Sequence, residues 1–457
     1  MFLEKVKTDG LAHLSWVLGS AGEAAVIDPR RDCSIYTDIA LRHDCRITHI
    51  FETHRNEDLL SGAAVLAERT GATVFHGPNA AGDVVYAETA RDGDEFSIGA
   101  ITIRVLETPG HTDDSLSFAF LDPAFGEEAV GVFTGDALFV GDVGRTDFYP
   151  DRAREVAGLL YDSLQKLCGL GDQAVIYPAH GAGSVCGNAM ADREVSTIGY
   201  ERVNNPRLRI ADRDEFIDAK VAEHHRQPPY FRYMEAGNLE GAPAVPAAPP
   251  PPLTAAAFRR LAGEVDVLDV RSASAWLGAH LPESIAIPEH MIASFAGWFL
   301  EPHRQIALVA EDGGQAGRAA RTLARIGYDR VEGYLAPSLA AWAAAGEEFG
   351  TVAVVDTRRV RERVDSASKE WTLLDVRDDP EVAQGRIAGA RHVFLGKLPG
   401  ALRDLDPARH YTVMCGSGSR ATIAASLMRR AGFRDVDLYL GSISAWTSRD
   451  LELDEAS

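Results

Sequence analysis

Four short segments of this chain each deliver one metal-competent side chain just beyond a hydrophobic run. Ile47-Thr48-His49-Ile50-Phe51 leads to His54, and Val105-Leu106-Glu107 leads through Pro109-Gly110 to His111. Gly131-Val132-Phe133-Thr134-Gly135 leads to Asp136, and Ala174-Val175-Ile176-Tyr177-Pro178 leads to His180. The runs have the length and β-branching of buried strands, so each side chain is expected in a loop at a strand's end. Convergent strand ends hold several donors on rigid elements. A lone His or Asp in such a place is more often structural. Three or more in this order, within Pro-Gly-His and Thr-Gly-Asp contexts, point to a metal centre.

The order and flanks of these segments resemble the metallo-β-lactamase superfamily, whose first motif is written His-x-His-x-Asp-His. Here it runs His54, Asn56, Asp58, Leu59. A dinuclear zinc site in that superfamily needs both missing imidazoles, and neither Asn nor Leu replaces a neutral nitrogen donor. A two-zinc thioester hydrolase of the glyoxalase II type is therefore disfavoured. The resemblance to the single-iron branch, the persulfide dioxygenases, implies that His54, His111 and Asp136 hold one Fe(II) per chain. Two imidazoles and one carboxylate on a face of an octahedral ion leave positions for O2 and substrate. His180 is expected beside these ligands rather than on the ion. Asp58 is expected either to bond a ligand or to cap a helix starting near Leu59.

Further segments fit the resemblance. Val26-Ile27-Asp28-Pro29 matches the superfamily's early strand and loop, and Gly144-Arg145-Thr146-Asp147-Phe148 matches a segment near the iron of persulfide dioxygenases. Arg145 is then a candidate anchor for a substrate carboxylate, the alternative being an ion pair. Cys186 follows a glycine-rich stretch after His180 and reads either as a pocket residue touching a persulfide or as a small buried hydrophobe. Thr112-Asp113-Asp114-Ser115 departs from the commoner Thr-Pro, and its carboxylates either tune substrate charge or are solvated.

The chain has 457 residues, enough for about three domains. Its net charge of -21 argues against nucleic-acid binding or an anionic membrane partner. No long apolar stretch and no basic-then-apolar N-terminus is present, so neither a spanning helix nor a signal peptide is expected. Five cysteines, sparse and odd in number, suit a reducing cytoplasm.

A proline-rich stretch, residues 241–253, separates a first domain (1–240) from an internal repeat. Val267-Leu268-Asp269-Val270-Arg271 recurs as Leu373-Leu374-Asp375-Val376-Arg377, and the copies end alike in Ala341-Trp342 and Ala445-Trp446. Both resemble rhodanese domains, small α/β units with a parallel sheet. In the second copy (351–457), strand Tyr411 to Met414 runs into Cys415-Gly416-Ser417-Gly418-Ser419-Arg420, with a helix expected over Ala421 to Arg430. Inward amides and a helix N-terminus favour the anionic form of a sulfur held there. Gly416, Ser417, Gly418 and Ser419 are expected to wrap the sulfur, and Arg420 to neutralise a bound persulfide. In the first copy (254–350), Ala310-Glu311-Asp312-Gly313 has no cysteine, and its loop reads as longer. That copy is expected to pack other domains or to form an oligomer contact, and a homo-oligomer is expected.

The expected fold is thus an αββα sandwich followed by two parallel-sheet α/β domains. Over nearly its whole length the chain resembles the persulfide dioxygenase and rhodanese fusion proteins of bacterial sulfide detoxification. That resemblance implies oxidation of a thiol persulfide by O2 to sulfite, and thiosulfate formation with sulfane sulfur carried on Cys415. A sulfurtransferase tethered to a non-catalytic metal domain is the alternative left by the depleted first motif.

Overall fold

The computed structural model describes residues 1–8, 10–80, 82–184, 186–187, 190–366 and 368–454. The chain forms two compact units, Met1–Val245 with Ala324–Gly327, and Pro246–Leu323 with Tyr328–Ser457.

In the first unit, β1 (Phe2–Thr8), β2 (His13–Ser20), β3 (Glu23–Ile27), β4 (Arg46–Phe51), β5 (Thr73–His76) and β6 (Glu88–Thr89) form a mixed sheet in chain order. A second sheet follows, also in chain order: β7 (Glu95–Ile98), β8 (Ile101–Glu107), β9 (Leu116–Leu121), β10 (Gly131–Gly135), β11 (Val175–Pro178) and β12 (Ser196–Thr197). Alternation sets the faces: Ile101, Ile103 and Val105 of β8 are buried while Arg104 between them is exposed. The inner faces meet in an aromatic core containing Trp16, Phe51, Phe75, Phe118, Phe120 and Phe133. Each such ring, fully buried, contributes about 1.5 to 3 kcal/mol. Helices Ser34–Arg42 and Ala63–Thr70 cover the first sheet through Tyr36, Ile39, Val65 and Leu66. Helix Ala153–Cys168 covers the second through Leu160, Leu164 and Leu167. The layers are α, β, β, α, as the sequence implies.

His54, His111, Asp136 and His180 follow directly on β4, β8, β10 and β11. Parallel pairing of β10 with β11 ends at Gly135 opposite Pro178, which sets the loops bearing Asp136 and His180 side by side. Gly135 has φ +52°, and a Cβ there would lie 2.7 Å from Thr53 Cβ. Only glycine lets this loop come so close to the residue preceding His54.

One local expectation fails. The helix anticipated near Leu59 begins at Ala63, so Asp58 caps nothing. Asn238 explains the delay: its amide donates to the carbonyls of Asn56 (2.7 Å) and Leu59 (2.8 Å), and its Oδ1 accepts from Ser61 N–H (2.8 Å). Those backbone groups are thereby withheld from a helix.

The second unit holds two five-stranded parallel sheets of the same order. The first consists of β13 (Pro252–Leu253), β14 (Asp266–Asp269), β15 (Ile285–Ala286), β16 (Ile306–Val309) and β17 (Val331–Leu335), arranged β13-β17-β16-β14-β15. The second consists of β18 (Ala353–Val355), β19 (Trp371–Asp375), β20 (Arg391–His392), β21 (His410–Met414) and β22 (Val436–Tyr439), arranged β18-β22-β21-β19-β20. Pro252 and Leu253, the end of the stretch read as linker, pair with β17 as an edge strand. The repeated Asp-Val-Arg has a physical basis: Arg271 forks onto Asp269 (2.6 Å), and Arg377 onto Asp375 (2.7 Å). The repeated Trp likewise donates to a carbonyl six residues on, Glu348 (2.8 Å) or Glu452 (3.0 Å). Helix Ser419–Arg430, buried along Ala421 to Met428, also packs on β15 of the first copy. Ala286 N–H donates to Ser426 Oγ at 3.0 Å, and Arg430 pairs with Asp266 at 3.0 Å. Among the described residues no helix is long and apolar enough to cross a membrane.

Candidate active site

In the first unit, His54, His111 and Asp136 offer ligand atoms all within 4.8 Å of one another, and all three are buried. Asp136 Oδ2 lies 3.5 Å from His111 Nε2 and 3.9 Å from His54 Nε2. Hydrogen bonds fix which ring nitrogen carries each proton. Thr53 Oγ1–H donates to Asp28 Oδ2 (2.9 Å), so the same oxygen accepts from His54 Nδ1 (2.9 Å). His111 Nδ1 lies 3.0 Å from the Arg145 carbonyl, which only accepts. Both Nε2 lone pairs therefore face the cluster, and neither has a hydrogen-bond partner among the described residues. Two bare imidazole nitrogens beside a buried carboxylate are a donor set that fits a divalent ion.

The electrostatics agree for Asp136 and His54, while at His111 burial is outweighed by Glu57 and Asp136, which raise that group above its ordinary value. Burial pushes the Asp136 carboxyl up, but His180, His54 and His111 outweigh it and hold the group well below the usual carboxylate range. Burial depresses His54, only partly offset by Asp136 and Glu57, so that its imidazole favours the neutral, ligating form. His180 Nδ1 donates to Asp136 Oδ1 (2.7 Å), and its Nε2 lies 3.2 Å from Asp58 Oδ2. Burial opposes the charged form of His180, yet Asp136 and Asp58 outweigh it and raise the group well above its ordinary value. His180 thus holds Asp136 by a charge-assisted bond.

Arg145 departs from its expected role. It is buried, and its fork is taken by Asp147 (2.6 and 2.9 Å), with Phe148 under the guanidinium at 4.7 Å. No fork remains for a substrate carboxylate. Its contribution to the cluster is the carbonyl that orients His111. Asp113 pairs with Arg152 (2.8 Å), and buried Asp114 accepts from Arg55 N–H (2.8 Å), so neither acid is freely solvated. Cys186 is buried within ligand distance of two donor pairs, Glu57 with His111 and Asp58 with His180. Burial, reinforced by Asp136, Asp58 and Glu57, drives its thiol well above the ordinary range, which suits a neutral thiol rather than a nucleophile.

Two buried residues of the same loop carry charge toward this region without having been singled out in the sequence. Glu57 has both carboxylate oxygens buried without a hydrogen-bond partner, and the Nε of Arg55 lacks an acceptor, among the described residues. The only signal available was the unusual density of polar residues from His54 to Asp58 directly after a strand.

In the second unit, Cys415 directly follows β21 and is buried. Gly418 N–H donates to its Sγ at 3.1 Å, and Ser442 Oγ accepts from Cys415 N–H at 3.0 Å and lies 3.9 Å from the sulfur. Gly418 has φ +96° and caps helix Ser419–Arg430; a Cβ there would lie 2.5 Å from the Leu440 carbonyl oxygen. Ser444 bonds the Gly416 carbonyl through N–H (3.1 Å) and Oγ (2.8 Å), locking the loop that Ser417 completes. Ser442 and Ser444 went unmarked in the sequence because they lie beyond β22. Arg420 is not poised on the sulfur alone: Glu381 takes its Nη2 (2.7 Å), and Asp378 lies 3.3 Å from Nη1. In the first copy, the segment between β16 and helix Gly313–Arg325 is only Ala310 to Asp312, shorter than expected. Asp312 Oδ1 accepts from Gln315 N–H (2.8 Å), starting the helix early, and Gln315 Oε1 accepts from Glu311 N–H (2.8 Å), closing the cradle.

Residues 8–180 match the metallo-beta-lactamase superfamily, and residues 254–345 and 356–449 each match the rhodanese-like domain. A solved metallo-beta-lactamase from Staphylococcus aureus is 30% identical with a TM-score of 0.67, over 73% of this chain and 98% of that one. The chain belongs to the metallo-beta-lactamase superfamily. Its metallo-beta-lactamase domain is followed by two rhodanese-like domains. The domain is similar to hydroxyacylglutathione hydrolase of Rhizobium etli, 33% identical over 160 residues, which are 35% of this chain; the chain spans 57% of that relative's length. It is also similar to bovine mitochondrial persulfide dioxygenase ETHE1, 29% identical over 228 residues, 48% of this chain and 78% of that protein.

Proposed function

We propose that this chain is an Fe(II)-dependent persulfide dioxygenase joined to a sulfurtransferase, acting on a thiol persulfide such as glutathione persulfide in sulfide oxidation. The observation behind this reading is the convergence of His54, His111 and Asp136 in a loop region where Asn56 and Leu59 supply no further imidazole. Bound iron would supply a site where O2 and a sulfur ligand are activated together. The chain's own part is positioning: Asp28 and Thr53 fix the His54 ring, the Arg145 carbonyl fixes His111, and His180 fixes Asp136. Their burial keeps bulk water from the reacting sulfur.

The balance is RSSH + O2 + H2O giving RSH, SO3 2− and two protons. A second persulfide passes its outer sulfur to the Cys415 thiolate with RS− leaving, and sulfite then takes that sulfur, giving S2O3 2− and regenerating the thiolate. The amide of Gly418 is placed to stabilise negative charge on the carried sulfur. Glutathione persulfide added to anaerobically iron-loaded protein is expected to trigger oxygen uptake with about one iron per chain. No uptake with iron present would leave a sulfurtransferase on a non-catalytic scaffold.

One observation favours a second reading. Asp58, His180 and Cys186 also offer ligand atoms within 4.8 Å of one another, a place for a second ion and hence for thioester hydrolysis. Two metal ions per chain together with hydrolysis of a glutathione thioester would select it.

At the sulfur-transfer loop, Glu381 competes with any anionic donor or acceptor for Arg420. Burial raises the Glu381 carboxyl, but Arg420 outweighs it and holds the group below its ordinary value. Glu381 is partly exposed, so the pair is worth about 1 kcal/mol. Glu381→Gln is expected to lower KM for thiosulfate about fivefold with kcat little changed. An unchanged or raised KM would show that Arg420 does not meet the anion.

A further inference from the structure

We propose that Glu57 is a fourth protein donor to the metal centre, so that the ion is held by two imidazoles and two carboxylates. The proposal rests on the metal-centre reading above and goes beyond its three ligands.

Glu57 Oε1 lies 3.0 Å from His111 Nε2, and Oε2 lies 3.8 Å from His54 Nε2. Neither approach is aligned as a hydrogen bond, and both Glu57 oxygens are buried without any other partner among the described residues. A carboxylate taken out of water and left unbonded costs several kcal/mol, which native interiors avoid unless a cation compensates. In their neutral forms the two histidines present lone pairs rather than protons to Glu57, because Thr53 and the Arg145 carbonyl hold the proton of each on Nδ1. With neutral imidazoles, the Nε2 atoms of His54 and His111 thus present lone pairs to Asp136 on one side and to Glu57 on the other. That arrangement is repulsive when empty and favourable around a divalent ion.

The spacing suits such an ion. With donor bonds of about 2.0 to 2.2 Å, neighbouring donors on an octahedral ion are about 3 Å apart and opposite donors about 4.2 Å. The contacts of 3.0, 3.5, 3.8 and 3.9 Å fall within that range, the two from Glu57 being made by its two different oxygens. Charge agrees as well, since two carboxylates neutralise a divalent ion in a water-poor pocket. The loop that lacks imidazoles at Asn56 and Leu59 thereby still contributes two donors, His54 and Glu57. Four protein donors leave two positions on a six-coordinate ion, one for a sulfur ligand and one for O2.

The test uses the full chain loaded anaerobically with Co(II), whose visible absorption reports its ligands, with affinity measured by chelator competition. Glu57→Gln is expected to weaken Co(II) binding about 100-fold and to shift the absorption, with His54→Ala weakened at least as much. Glu57→Asp keeps the charge but withdraws it by one methylene, and is expected to fall between wild type and Glu57→Gln; it carries the test if Glu57→Gln fails to fold. Wild-type affinity and spectrum in the folded Glu57 variants, with the ion lost from His54→Ala, overturns the proposal and leaves the three-ligand centre standing. Unchanged binding in His54→Ala as well removes the metal centre itself.

Discussion

Asp136→Asn is expected to weaken iron binding at least about 100-fold and to abolish oxygen uptake on addition of a persulfide. The asparagine is nearly isosteric, so the loss reads charge and donor quality rather than packing. Asp136 approaches both histidine Nε2 atoms and accepts from His180 through both oxygens, at 2.7 and 3.0 Å. A neutral amide cannot serve both purposes: if its oxygen faces the ion, its NH2 faces the His180 Nδ1–H, donor against donor. Removing the charge also strands His180 between Asp58 and a group that no longer attracts it. Anaerobic iron quantification after chelator challenge is the measurement. Full retention of iron at wild-type affinity would show that Asp136 is not a ligand.

Cys415→Ser is expected to reduce thiosulfate:thiol sulfur transfer on the order of 10⁴-fold or more, leaving persulfide-dependent oxygen uptake within a factor of about two. Serine fits the same cradle of Gly418 N–H and Ser442 but neither ionises nor carries sulfane sulfur. Three of the four remaining thiols offer little substitute. Burial pushes Cys33 up to about 11, and Cys168 and Cys186 are raised by burial too. Parallel assays of transfer and oxygen consumption on one preparation separate the two activities. Transfer that persists would move the carrier role to another residue.

The strands before His54, His111, Asp136 and His180 were legible as short apolar runs, and the sandwich through the family resemblance that the order and flanks of those four segments carry. The repeat was legible because Asp-Val-Arg and Ala-Trp each close a local hydrogen bond that the fold needs twice. Side-chain direction within loops was not. Nothing in His54-Arg55-Asn56-Glu57-Asp58 says which of its polar groups turns inward, since loop residues obey no period. Arg145 was left open between substrate anchor and ion pair although its partner Asp147 lies two residues away, because a fork can serve substrate or chain equally well. The competitors for Arg420 were illegible for another reason: Glu381 and Asp378 reach it from some forty residues earlier, a distance that local patterns do not span. The late start of the helix at Ala63 depended on Asn238, more remote still.

Gly418, the cap of helix Ser419–Arg430, supplies the amide at Cys415 while the flank of that helix is sealed by the copy that has no thiol of its own. Chemistry and support have therefore been divided between two descendants of one motif. In the mute copy Glu311 and Asp312 serve only to start its own helix, whereas Ala286 and Asp266 carry the contact on which its twin leans. Sequence constraint in that half of the repeat should follow the shared seam rather than the vanished cradle.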